Sequence, residues 1–200
     1  MSKQAQPSYP IHELLAKRWS PYWYDERPVK AEDLRSIFEA ARWAASSYNE
    51  QPWRFIVATK DQPEQYAKVL SVLVEANQAW AQRAPVLVLG VIGRNFERNG
   101  KPNKAAEHDL GLAAASLTLE ATARGLHVHQ MIGLDPEKGR SVFGVPAGFE
   151  VLTALAIGYA ADPAQAPEAL RGRDTAPRGR KPLSEIVFGG TWGQVSSAVK

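Results

Sequence analysis

Two basic clusters stand far apart in this chain. Lys17-Arg18-Trp19-Ser20 lies near the start and Arg178-Gly179-Arg180-Lys181-Pro182 near the end. A guanidinium fork with a hydroxyl two residues away can hold phosphate oxygens through charge-assisted hydrogen bonds. Cations also suit the last turn of a helix or a solvated tail, so either cluster alone is equally an ordinary feature. A third constellation, Ala44-Ala45-Ser46-Ser47-Tyr48-Asn49-Glu50-Gln51-Pro52-Trp53, gathers small, hydroxyl and amide residues ahead of a strand that Pro52 holds extended. Such a loop offers N–H groups and amides to a planar polar ligand, or simply caps its helix. The fourth is His127-Val128-His129, two imidazoles on one strand face. Only His12 and His108 accompany them, with no acidic cluster, so half-buried, hydrogen-bonded histidines are expected and no metal.

Other chemistries lack their residues. With no Cys there is no disulfide framework, thiol nucleophile, iron–sulfur cluster or thiolate zinc site. G-x-S-x-G is absent, as are G-x-G-x-x-G and the P-loop, which disfavours a hydrolase triad, a Rossmann dinucleotide domain and an NTPase. The net charge of +3 is small for a nucleic-acid binder. It is also concentrated: residues 171–181 hold five basic residues against Asp174, a local +4, so the rest sums to −1. A concentrated patch suits a phosphate-bearing small molecule. It also describes a solvated tail.

These residues need a scaffold, and 200 residues suffice for one domain with its own core. Helix and strand signals alternate. Helices are expected over 11–17, 31–46, 63–77, 105–124 and from Asp135 to Gly144, with strands over 54–59, 85–92, 126–132 and 150–159. Residues 93–104 read as a short polar loop. Residues 162–182, with four of the 14 Pro and no periodicity, begin an extended irregular C-terminal arm over 162–200. The longest apolar run, Ala84 to Gly93, is ten residues and cannot span a bilayer. The first ten residues lack the apolar core of a secretory signal, so a cytoplasmic globular domain of α/β or α+β class is expected.

Taken in order, these signals resemble the nitroreductase family. The likeness runs from about Ile11 to Trp192. It rests on Lys17-Arg18-Trp19-Ser20-Pro21-Tyr22, the Ala44–Trp53 loop, Asn77 ahead of Trp80 and Ala84-Pro85, and Asp109-Leu110-Gly111. Gly125-Leu126, Ile132-Gly133, Gly158-Tyr159 and Arg178-x-Arg180-x-Pro182 complete it. Three positions depart from the pattern: Tyr22 and Trp80 replace basic residues found in some members, and Ala45 replaces a Pro.

The resemblance implies an α+β fold with a central mixed β-sheet flanked by helices, built as an intertwined homodimer. It implies FMN at the dimer interface, NAD(P)H as reductant and an electron-poor small-molecule acceptor such as a nitroaromatic, quinone or enone. By motif position Arg18, Trp19, Ser20, Arg178 and Arg180 belong to the cofactor site, the four polar ones on the phosphate and ribityl chain. Ala45, Ser46, Ser47, Asn49 and Gln51 belong to the loop reaching the flavin from the other subunit. Asn77 would bond the ring, and Ile132 with Gly133 would present N–H groups to it. No side chain is required as a catalytic acid or base, because flavin N5 carries the chemistry. Tyr48 and Phe96 are candidates for the substrate wall. Two rivals remain within the enzyme class, a flavin-destroying enzyme and a dehalogenase of the same fold. From another class comes a non-enzymatic binder of anions or nucleic acid using the Arg-rich arm.

Overall fold

The computed structural model describes residues 3–199. The elements are α1 (Glu13–Lys17), β1 (Tyr24–Asp25), α2 (Ala31–Arg42), β2 (Trp53–Thr59), α3 (Pro63–Val72) and α4 (Glu75–Ala81). They continue as β3 (Val86–Gly93), α5 (Ala106–Ala123), β4 (His127–Met131), α6 (Pro136–Phe143), β5 (Phe149–Ala160) and α7 (Glu168–Thr175). The sheet runs β1-β5-β3-β2, with β4 also paired to β5.

Helices cover both sheet faces, which is why the central strands β3 and β5 read as largely apolar runs. Side chains of β3 alternate between two cores. Val86, Val88 and Ile92 join Ile37 and Ala41 of α2 and Leu110, Ala113, Ala114, Leu117 and Ala121 of α5. Leu87, Leu89 and Val91 face Tyr66, Val69 and Val72 of α3 and Trp80 of α4. The β3–β5 register slips between Gly90 and Val91, where a Cβ on Gly90 would come 2.7 Å from Thr153 Cγ2. Only glycine fits there.

The overall α+β architecture is as expected, and four details differ. Every strand pairing among the described residues is antiparallel, so the expected mixed sheet is not formed within one chain. The helix expected over 31–46 stops at Arg42, where Trp43 caps it and the loop takes over. The single helix expected over 63–77 is two, broken at Leu73 and Val74. The break has a tertiary cause: Val74 N donates to Gly133 O, and Leu73 bridges Leu134. The arm is not irregular throughout, because α7 forms within it. Asp174 of α7 is buried and accepts from the N–H groups of Tyr22 and Trp23 at 2.9 and 3.0 Å. The signal for this anchor was a lone carboxylate among five cations.

Candidate functional site

The two basic clusters meet. Arg18, Arg178, Arg180 and Lys181 line one cavity of about 560 Å³, together with residues 5–9, Ile11, Leu15 and Leu183. Three structural causes bring them there. Arg18 follows the last turn of α1. Arg178 Nη1 donates to Ala16 O at 2.7 Å and to Lys3 O at 3.0 Å, tying the arm to the N-terminal segment. Asp174 fixes α7 of the arm on residues 22–23.

No carboxylate lines this cavity, and none pairs with its cations among the described residues. Burial holds the Arg18 guanidinium below its usual range, and the charges of Arg178 and Arg180 push it further down. Arg178 is lowered by burial first and by Arg180 second. The like charges of these groups disfavour one another, a cost that a bound anion offsets. Ser20 Oγ accepts from Arg18 Nη1 at 3.3 Å, which leaves the hydroxyl proton to be donated elsewhere. Lys181 belongs to the same constellation in the sequence and is a site residue the sequence reading did not select.

Beside this cavity, and sharing Leu15 and Arg18 with it, lies a second of about 330 Å³ lined also by Ser20, Thr118, His129 and Gln130. Trp19 points elsewhere. Its ring is buried and meets His127 edge-on at 5.4 Å, and it lines neither cavity. His129 Nδ1 lies 2.9 Å from Pro21 O, so it carries the proton and donates. The His129 ring packs against Tyr22 at 4.6 Å and Trp80 at 4.4 Å. Two positions that departed from the family pattern thus form one aromatic cluster. His127 differs: its Nδ1 is buried without a partner, and burial, then Arg18, push its pKa down to about 4. Among the described residues no group of three or more His, Cys, Asp or Glu could hold a metal ion.

Asn77, Ile132 and Gly133 converge at the α3–α4 break. Asn77 Nδ2 donates to Gly133 O at 2.9 Å, so that amide end is committed to the protein. A Cβ on Gly133 would sit 2.6 Å from Asn77 Nδ2, which accounts for the glycine. Ile132 is 84% exposed. Neither its N–H nor that of Gly133 is donated to another backbone group among the described residues. Both remain available to a ligand.

The 45–51 loop lines neither cavity next to Arg18. It is held by its own oxygens and by one buried carboxylate. Gln51 N donates to Ser46 Oγ at 3.0 Å, Gln51 Nε2 to Asn49 O at 2.9 Å, and Ser47 N to Asp109 Oδ2 at 3.1 Å. Tyr48, Asn49 and Gln51 have φ of 55°, 56° and 50°, a left-handed conformation that non-glycine residues adopt at a cost of about 1–3 kcal/mol each. Gln51 therefore departs from the extended geometry expected before Pro52. Ala45 and Asn49 are exposed. Tyr48 is 74% exposed and meets Phe96 edge-on at 5.9 Å, so the two expected wall residues do come together. Asp109 is 1% exposed in the first turn of α5, and its role on this loop was not foreseen.

A sequence model described as the Nitroreductase family matches residues 15–159. The chain belongs to the nitroreductase family. A 15.4 kDa protein of the ask 5′ region of Mycolicibacterium smegmatis is 34% identical over 146 residues, covering 70% of this chain and 97% of that relative. A Thermus thermophilus NADH dehydrogenase is 29% identical over 199 residues, with 86% and 92% covered. Among solved structures, an oxidoreductase containing FMN is 35% identical with a TM-score of 0.88, covering 94% of this chain and 95% of that one. The nitroreductase match stops before the arm, so Arg178 and Arg180 lie outside it.

Proposed function

We propose that this nitroreductase-family chain is an FMN-dependent NAD(P)H oxidoreductase. It delivers electrons to an electron-poor small molecule such as a nitroaromatic, quinone or enone, and works in the cytoplasm as a homodimer. The observation that carries this reading is the cavity where Arg18, Arg178, Arg180 and Lys181 meet without a carboxylate. That donor set suits a terminal phosphate dianion, and the FMN-containing relative and the NADH dehydrogenase relative supply the rest of the reading.

In this reading FMN, held by these residues, would supply the hydride chemistry that links the reductant to the acceptor. The chain's residues bind and orient. Arg18, Arg178 and Arg180 neutralise the phosphate, Arg178 through the donors its Nη1 contacts to Lys3 O and Ala16 O leave over, and Ser20 donates its free hydroxyl proton. Ile132 and Gly133 offer their N–H groups to the ring system, and Asn77 keeps that turn in place. Ala45, Ser46, Ser47, Asn49 and Gln51 form the edge that completes the partner's site. Tyr48 and Phe96 wall the open face. Residues 1–200 act as one unit, with 162–200 as the arm that carries the distal arginines.

The test is direct. Heat-denatured protein is expected to release FMN, identified by chromatography, and light scattering across a dilution series is expected to give a dimer. A colourless protein that takes up no added FMN refutes the flavin reading. A flavin-loaded monomer refutes the shared site.

A further inference from the structure

Arg98 lies outside the cavities next to Arg18, and its surroundings are specific. Its guanidinium carbon stands 4.0 Å from the centre of the Tyr48 ring and 5.3 Å from that of Phe96. Two carboxylates lie on the same loop pair. Glu97 pairs with Arg54, and Glu50 accepts from the N–H of Glu97. Neither pairs with Arg98. Among the described residues no side chain or carbonyl accepts a hydrogen bond from Arg98, and Lys101 and Lys104 of the same loop form no ion pair either. The fourth cation of the loop, Arg94, is spent on Glu107 and Glu150.

The platform under Arg98 is costly to build. Tyr48, Asn49 and Gln51 all hold left-handed backbone, and the outcome is a tyrosine left 74% exposed. A loop relaxed into ordinary φ values would lose this presentation. Strained backbone clusters at binding and switch sites, and here it presents an aromatic ring to solvent. A guanidinium held over the Tyr48 ring and beside Phe96 has its position fixed by cation–π attraction while its donors and its charge stay unmatched. An aromatic platform that positions a guanidinium fork with free donors suits a nucleotide phosphate.

We propose that Arg98, seated on Tyr48 and Phe96, is the residue that recognises a phosphate of the pyridine dinucleotide reductant. This rests on the reading above, in which Tyr48 and Phe96 wall the flavin face. The shared ligand chemistry is a phosphate ester. It comes either from the pyrophosphate present in both reductants or from the 2′-phosphate that only NADPH carries.

Variants Arg98→Ala, Arg98→Glu and Arg98→Lys, each loaded with FMN, separate these. Steady-state kinetics with NADPH and NADH, and calorimetric titration of the oxidised proteins with NADP+ and NAD+, are the readouts. The Ala variant is expected to raise KM for NADPH about tenfold, with Kd for NADP+ rising in parallel, and the Glu variant to raise both further. The Lys variant keeps the charge but not the planar fork and should fall between wild type and Ala. Losses confined to NADPH and NADP+ assign the 2′-phosphate; equal losses for both nucleotides assign the pyrophosphate. Values within twofold of wild type for both nucleotides in both the Ala and Glu variants overturn the proposal. FMN content, measured on the same preparations, keeps that failure distinct: an FMN-loaded wild type with indifferent Arg98 variants refutes this inference alone, and a wild type that binds no FMN refutes the reading beneath it.

Discussion

Two cavities of nearly equal size occur on this molecule, and they differ in how their charges are matched. The one of about 560 Å³ gathers Arg18, Arg178, Arg180 and Lys181 with no carboxylate in its lining. The other, of about 550 Å³, lies between α2 and α5 and contains Arg35, Glu39, Glu120 and Arg124. There Arg124 is held by Glu120 at 2.7 Å and Asp33 at 3.0 Å, and Glu39 by Arg42 and the Trp43 indole. Both partners raise the Arg124 pKa, whereas burial and like charge lower that of Arg18. Volume does not distinguish the two. Unmatched charge does, because a group whose neighbours disfavour its charged state gains most when a counterion arrives.

The largest effect expected from this contrast follows removal of Arg18 and Arg180 together. The double variant Arg18→Ala, Arg180→Ala should lose about 100-fold or more in FMN affinity, each charge-assisted contact contributing and the pair being coupled. Its flavin-free form should melt no lower than wild type, since mutual repulsion has been relieved. Flavin fluorescence titration and thermal melts check both halves. A drop in the melting temperature without a change in affinity would make this cavity structural.

Next in size is a pH effect beside the same cavity. The His127 pKa is depressed from the usual value near 6.5 to about 4, by burial first and Arg18 second. A depressed pKa contributes stability that is present above the unfolded value and is lost as pH falls through the folded one. Stability should therefore decline between about pH 6.5 and 4, by about 2–3 kcal/mol after allowance for residual solvent. Urea unfolding across that range measures it. The slope should shrink in His127→Phe, and an unchanged slope would place the proton uptake elsewhere.

A smaller effect tests the loop. Asp109→Ala leaves the Ser47 N–H without its buried acceptor, which costs about 1–3 kcal/mol of stability. Flavin affinity should fall as well, through disorder of 46–51, while Asp109→Asn should recover part of both losses. Smallest is the response of the matched cavity. Arg124→Ala should leave FMN affinity within twofold and lower the melting temperature slightly, as expected for an ion pair near the surface. A large loss of flavin there would erase the distinction between the two cavities.

The aromatic cluster of Tyr22, Trp80 and His129 shows what could be read early and what could not. The replacement of basic residues at 22 and 80 was visible in the chain. Their mutual contact was not, because it joins residues on α4, on β4 and in the segment before β1. Trp19 shows another side of this. It sits between Arg18 and Ser20 in the sequence, and only the structure shows that its ring turns away to pack against His127.

By itself the sequence determined the order of α1, α2, β2, β3, α5, β4, α6 and β5, the double-sided burial of β3 and the stops at Gly125 and Gly144, because apolar periodicity and left-handed glycines act locally. It also determined which residue types could meet a phosphate. Only the tertiary structure decided that Arg18 and the Arg178–Lys181 segment share one cavity, that Asp174 and Lys3 brace that arrangement, and that α3 breaks to form the Asn77–Gly133 contact. Those outcomes depend on backbone groups competing for partners about 56 to 175 positions away, and a local pattern carries no record of which partner wins.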